Sequence, residues 1–135
     1  MGSILLQPQE IEVYYIMPAL RRNLAINMKN NGMKQKEIAE LFSIDKAAVS
    51  QYLSGKRGNK ISFDDSIQKE IKKSASLIKD KLSYLREMQR LLRIIRNTKI
   101  MCKLHKQFSD IPKECCPELI KCFGGRKHGD EKLQD

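Results

Sequence analysis

QKEIAELFSIDKAAVSQYLSGKR, residues 35 to 57, decides the reading of this chain. Apolar or small residues fall at Ile38, Ala39, Phe42, Ile44, Ala48, Val49 and Tyr52. That is the spacing of two short helices that cross, each burying one face, with a tight turn between them. Gln35 opens the first helix, and Ala39 is small where the second must pass close over its backbone. Asp45 can cap the second helix, because its carboxylate accepts from backbone N–H groups that otherwise lack partners. Gly55 supplies the stop. Val49 is a weak helix former, so its place inside the second helix is one where packing overrides propensity.

On a wheel advancing about 100° per residue, placing Val49 inward brings Asp45, Ala48, Tyr52 and Leu53 to the same side. The opposite side carries Ala47, Ser50, Gln51 and Ser54, flanked by Lys46. Nothing on it is large and apolar, so it suits entry into a major groove. There Gln51 can hold adenine through a bidentate pair, Ser50 can bond several base edges, and the Ala47 methyl can meet a thymine methyl. Lys46, Ala47, Ser50, Gln51 and Ser54 are therefore the candidate base-reading residues.

These residues carry a resemblance: the segment is similar to the helix-turn-helix of Cro and the phage repressors, the xenobiotic-response-element family of regulators. The likeness covers residues 18 to 60 and rests on Gln35, Ala39, the apolar Ile44 in the turn, and Val49. Together with the preceding PALRRNLA and the following SGKRG, the whole resembles archaeal regulators of this class. Ser43 departs from the pattern, standing where the family usually has glycine, so a strained or altered turn is expected. The resemblance implies an all-α fold with an N-terminal bundle of four to five helices. It also implies a transcriptional regulator that binds double-stranded DNA sequence-specifically. Such regulators pair two recognition helices about one helical turn of DNA apart, which calls for a homodimer on a near-palindromic operator.

Working outward, Gly55-Lys56-Arg57-Gly58-Asn59-Lys60 is a basic loop placed to grip backbone phosphate, or else a solvated loop. Gln35, Lys56, Arg57 and Lys60 are the candidate phosphate contacts. Upstream, Pro18 suits the first turn of a helix, Leu20, Leu24 and Met28 recur every four residues, and Asn31-Gly32 ends it. Arg21 and Arg22 near its start either touch a phosphate or form a solvated surface. Alternation at Ile11, Val13 and Tyr15 suggests that residues 1–17 form an extended arm or short strand.

Downstream, Phe63, Ile67, Ile71, Ala75, Ile78, Leu82, Leu85, Met88, Leu92 and Ile95 recur in steps of three or four. This seam is long for a small core to bury, so part of it is expected to pack against a second copy. The alternative is an intramolecular helical hairpin broken near Ser83. The organisation expected is an arm over 1–17, a DNA-binding domain over 18–61, a helical dimerisation region over 62–101, a Cys/His region over 102–123, and a polar tail over 124–135 that includes His128.

All four cysteines, Cys102, Cys115, Cys116 and Cys122, lie in the last third, with His105 three residues after the first. Cys102 and His105 on a helix end, with Cys116 and Cys122 from a loop, can make a tetrahedral zinc site. Four thiolates can instead hold an iron–sulfur cluster. The spacing C-x2-H-x9-C-C-x5-C matches no standard finger or ferredoxin pattern. Adjacent Cys115 and Cys116 tend to diverge, so the five candidates do not all ligate together. Disulfides or plain buried thiols are the competing reading, and cytosolic chemistry generally disfavours the former.

A length of 135 residues suits one compact domain with an extension and predicts a single core. The formal charge of +10, from 26 Lys and Arg against 16 Asp and Glu, favours a polyanionic partner through counterion release. No apolar run approaches bilayer length and the N-terminus lacks the pattern of a secretory leader, so a cytoplasmic protein without a membrane partner is expected. No phosphate-cradling loop, nucleophile elbow or catalytic carboxylate pair stands out, which disfavours an enzyme. The remaining alternative is a helical adaptor that binds RNA or an acidic protein.

Overall fold

A computed structural model describes residues 4–122, and every regular element in them is helical, with no strand among the described residues. The all-α class is as expected. The polar tail expected over 124–135, with His128, lies outside the described residues, as do residues 1–3 of the arm and residue 123 of the Cys/His region. In chain order the helices are α1 (Pro8–Ile11), a π-helical stretch (Glu12–Ile16), α2 (Met17–Asn30), α3 (Gln35–Phe42), α4 (Lys46–Ser54), α5 (Asp65–Leu77), α6 (Lys81–Arg96), α7 (Ile100–Phe108) and α8 (Pro117–Ile120). No helix among the described residues is long and apolar enough to cross a membrane.

The expectation of an extended arm or strand up to residue 17 is corrected, because the chain is helical from Pro8. Pro8 occupies the first helical position, where its missing N–H costs nothing, and Glu10 Oε1 accepts from the Gln7 N–H at 2.9 Å. The apparent alternation misleads because the buried apolar residues are Ile11 and Ile16, with Glu12 buried beside them, while Val13 is exposed. Those two buried apolar positions are five apart, the repeat of the wider π turn. This turn directly precedes Pro18. In a regular α-helix the proline ring would meet the carbonyl of Tyr14 and leave it without a donor, and a π turn is a common way of accommodating such a break.

The chain forms two compact units where one core was expected: Tyr14–Leu91 is one, and Met1–Val13 with Leu92–Asp135 is the other. In the first, α3, α4 and α5 all pack on α2. Leu20, Leu24 and Met28 supply the inward stripe of α2 and are fully buried with Ile38, Val49 and Ile71. Each such side chain contributes about 2 kcal/mol of hydrophobic stabilisation. Because α5 buries Ile67, Ile71 and Ala75 and packs on α2, the division expected between residues 61 and 62 does not separate compact units.

Residues 62–101 form separate helices rather than one rod. The break comes at Ile78–Asp80, ahead of Ser83. Asp80 and Ser83 cause it by capping α6 reciprocally: the Lys79 and Asp80 N–H groups donate to Ser83 Oγ at 2.8 and 3.0 Å, and the Ser83 N–H donates to Asp80 Oδ1 at 2.7 Å. Most of the apolar seam, from Phe63 to Ile78 and again at Met88, Leu92 and Ile95, is buried within the chain. Leu82 and Leu85 are not, and Tyr84 and Leu91 are buried instead. The seam therefore leaves less apolar surface for a second copy than its length predicted.

In the other unit α1 packs on α7, with Ile11, Ile95, Met101 and Leu104 buried. Residues ahead of α1 are tied to the end of α7, where the Asp110 N–H donates to Ile4 O at 2.7 Å and the Leu6 N–H to Ser109 Oγ at 2.7 Å. Arg96 holds the buried Glu12 through two bonds of 2.6 and 2.9 Å.

Candidate nucleic-acid interface

The link between α3 and α4 is Ser43-Ile44-Asp45. Ser43 adopts the left-handed conformation, φ 54° and ψ 44°, at the position where glycine was the expected residue. Its N–H donates to Glu40 O at 3.2 Å and that of Ile44 to Ala39 O at 3.0 Å, so carbonyls at the end of α3 find partners inside the turn. Asp45 then starts α4, its Oδ1 accepting from the Ala48 N–H at 2.7 Å. Asp45 itself is exposed, which corrects its inward place on the helical wheel; it precedes the first helical residue, so the wheel does not apply to it. Ala48, Val49 and Tyr52 are buried, Leu53 is half-buried, and Gly55 closes the helix at φ 83°.

Of the candidate base-reading residues, Lys46, Ala47, Ser50 and Ser54 are exposed and Gln51 is half-buried. Ser50 Oγ donates to Gln35 Oε1 at 3.0 Å, which joins Gln35 to this face across the two helices. The carbonyl of Gln51 accepts from the N–H groups of Lys56 at 2.9 Å and Arg57 at 3.2 Å, so the basic loop departs from the same turn of helix.

Lys56, Arg57 and Lys60 are exposed on that loop. The Arg57 guanidinium lies 5.6 Å from the centroid of the Tyr52 ring, a cation–π contact that limits where the charge can go. Asn59 Nδ2 donates to Gly55 O at 2.8 Å and draws the loop together. Gly58, at φ 74°, passes so close to the start of α2 that a Cβ there would lie 2.4 Å from Pro18 O and 3.0 Å from Arg22 Cβ. Arg22 thus sits beside the loop, with Nη2 within 3.9 Å of where a Gly55 Cβ would be, and its Nε is buried with no hydrogen-bond partner.

Arg21, left open between a phosphate contact and solvated surface, does neither through its Nε. That atom donates to the Tyr84 hydroxyl at 3.2 Å. Burial pushes the Tyr84 phenol upward, with the Arg21 charge pulling the other way. Phe42 stacks on the same ring, with centroids 4.4 Å apart and planes 14° from parallel. Tyr84 therefore joins α2, α3 and α6, and sequence reasoning missed it because the apolar steps run from Leu82 to Leu85 and pass over it.

In the other unit, Cys102 and His105 lie on one face of α7, Cys115 and Cys116 precede α8, and Cys122 follows it. All of them line one cavity of about 20 Å³, with Lys106, Ile111, Pro117 and Ile120. The four cysteines are thiols. Burial pushes the Cys102 thiol up, as do the nearby sulfurs of Cys122 and Cys115. His105 is buried, and its Nε2 lies 2.6 Å from Leu6 O. A carbonyl only accepts, so Nε2 carries a hydrogen, and in the neutral form of the ring the lone pair is on Nδ1. Cys102, His105, Cys115, Cys116 and Cys122, the residues from which a zinc or iron–sulfur site was expected, thus share one cavity, and among the described residues no group of three His, Cys, Asp or Glu side chains is arranged to hold a metal ion.

Comparison of the chain with protein-family models, with curated proteins and with solved structures gives no match in any of the three.

Proposed function

We propose that this chain is a sequence-specific double-stranded-DNA-binding transcriptional regulator, with α3 and α4 as its helix-turn-helix and α4 as the helix that reads bases. One observation carries the reading: α4 buries Ala48, Val49 and Tyr52 yet keeps Lys46, Ala47, Ser50 and Ser54 exposed, a polar face with no large apolar side chain. Such a face is small and polar enough to enter a major groove and meet base edges there. The neighbouring Lys56, Arg57 and Lys60 supply cations for phosphates, and the formal charge of +10 favours a polyanion. The chain acts as a dimer on a near-palindromic operator. Support for pairing comes from Leu82 and Leu85, one turn apart on α6 and 72% and 60% exposed.

Selection of bound sequences from a random duplex pool tests the reading. A recovered motif with two inverted half-sites supports it, and recovery of no motif overturns sequence-specific binding. Competition at fixed salt between the selected duplex and RNA separates this function from an RNA-binding adaptor, which would favour RNA. Sedimentation of the chain alone and on the duplex tests the dimer.

A further inference from the structure

Cys102, His105, Cys115, Cys116 and Cys122 line one small cavity. The space amounts to about 20 Å³, enough for one water or one ion. An iron–sulfur cluster, with several metal and sulfide atoms, would require it to be opened.

We propose that this cavity binds a single thiophilic divalent ion of the zinc type, held by Cys102, Cys115 and Cys122 with His105 Nδ1 as the fourth donor. The imidazole is already fixed in the tautomer this requires, since Nε2–H is committed to the Leu6 carbonyl, the arrangement that orients metal-bound histidines elsewhere. Cys102 and His105 are one turn apart on α7 and present neighbouring donors from a rigid element. Cys115 and Cys122 flank α8; adjacent side chains diverge, so only one of Cys115 and Cys116 joins the set, and Cys116, whose backbone opens α8, is taken as the spare. Three thiolates exceed the ion's charge by one, and Lys106 on the cavity wall offsets the surplus. Each sulfur gives up its proton to solvent as its bond to the ion forms, and no electron is transferred. Among the described residues no three of these donors are arranged to hold an ion, so binding draws the segment 111–122 closer to α7.

The test uses the full-length chain, reduced and stripped with a chelator, titrated with Co²⁺ and then competed with Zn²⁺. The expected result is one ion per chain, a near-ultraviolet thiolate-to-cobalt band with the visible bands of tetrahedral cobalt, and their loss on adding zinc. Alkylation of the wild-type protein should show Cys102, Cys115 and Cys122 protected by zinc while Cys116 still reacts. Cys102→Ser and Cys122→Ser should weaken binding by at least about tenfold, and Cys116→Ser should leave it unchanged. No stoichiometric binding, equal alkylation of all four thiols with and without zinc, or unchanged affinity in Cys102→Ser and Cys122→Ser would each overturn the assignment. So would anaerobic loading with iron and sulfide that gives a stable coloured cluster on these thiols. The alkylation and stoichiometry arms need no variant to fold.

Discussion

Ser50 Oγ donates to Gln35 Oε1 across 3.0 Å, tying the first residue of α3 to the middle of the outward face of α4. Both groups are polar and near solvent, so the bond contributes little to folding, about 0.5–1 kcal/mol at most. Its consequence is orientation, because it selects the rotamer that Gln35 presents beside Ser50 and leaves the amide nitrogen of Gln35 to donate elsewhere. Gln35→Ala and Ser50→Ala should each leave thermal stability almost unchanged while weakening binding to the selected duplex by about 1–2 kcal/mol. The double variant should lose less than the sum. Strict additivity in a binding cycle would show that the two residues act independently.

Lys56 and Arg57 act through phosphate in this reading, so charge removal there should be blind to sequence. Lys56→Gln should weaken binding to specific and random duplexes alike and lower the slope of log K against log salt by about one. Arg57→Gln should do the same and also lose its stacking on Tyr52. A loss confined to the operator would contradict the phosphate role.

Ser43 holds a left-handed conformation that costs a residue with a Cβ about 1 kcal/mol. Ser43→Gly removes that strain but adds backbone entropy to the unfolded chain, so a net gain of about 0.5 kcal/mol is expected. The readout is the midpoint of urea unfolding, with the slope unchanged. A lower midpoint would mean that the turn is not strained at this position.

Two glycines separate backbone strain from collision. Gly32 has φ 97° and open space around the position of a Cβ, whereas at Gly58 a Cβ would strike the Pro18 carbonyl at 2.4 Å. Gly32→Ala should cost about 1 kcal/mol from the positive φ alone. Gly58→Ala should cost more, about 2–3 kcal/mol, because backbone must move as well. It should also weaken binding to all duplexes by displacing the loop that carries Lys56 and Arg57. Thermal melts of the two variants side by side check the order.

Arg90 joins Glu70 at 2.6 Å, Glu87 at 2.9 Å and Ser74 Oγ at 2.7 Å, and Ser74 in turn donates to Glu87 at 2.8 Å. The Arg90 hydrogen bond lowers Glu70 below the ordinary carboxylate value of 4.5. Burial by itself pushes Glu87 up, but hydrogen bonds from Arg90, Ser74 and Arg86 outweigh it and leave it lowered. Groups whose folded pKa is depressed stabilise the fold above the unfolded value and lose that contribution as pH falls through the folded one. Stability should therefore decline as pH drops below 4.5, the value both carboxylates have when free. Arg90→Met should cost about 3 kcal/mol at neutral pH, because Glu87 is left buried without its main counter-charge, and should flatten the acid decline. Urea unfolding at neutral pH and below 4.5 measures both effects.

The parts of the site legible in the chain are those whose causes lie a few residues apart. The cap at Asp45, the stop at Gly55 and the outward set Lys46, Ala47, Ser50 and Ser54 all follow from local geometry and a short apolar repeat, whereas the unusual turn at Ser43 was expected only from the family resemblance. Arg21 was not legible in the same way, because its partner Tyr84 is 63 residues distant and no periodicity links them. The arm was misread for the opposite reason: alternation over Ile11, Val13 and Tyr15 imitates a strand, while Pro8, Glu10 and Pro18 carry the stronger helical signals.

Residues 35 to 57 read alone determined the order of the two crossing helices and the side of α4 that stays polar, since each depends on interactions within about two turns of chain. Tertiary structure alone decided that Leu82 and Leu85 face outward while Tyr84 is buried, that the chain divides into two units, and that His105 meets Leu6 99 residues away. Apolar spacing specifies that a face will be covered, but hydrophobic attraction has no direction, and which surface covers it is settled only when distant segments close on one another.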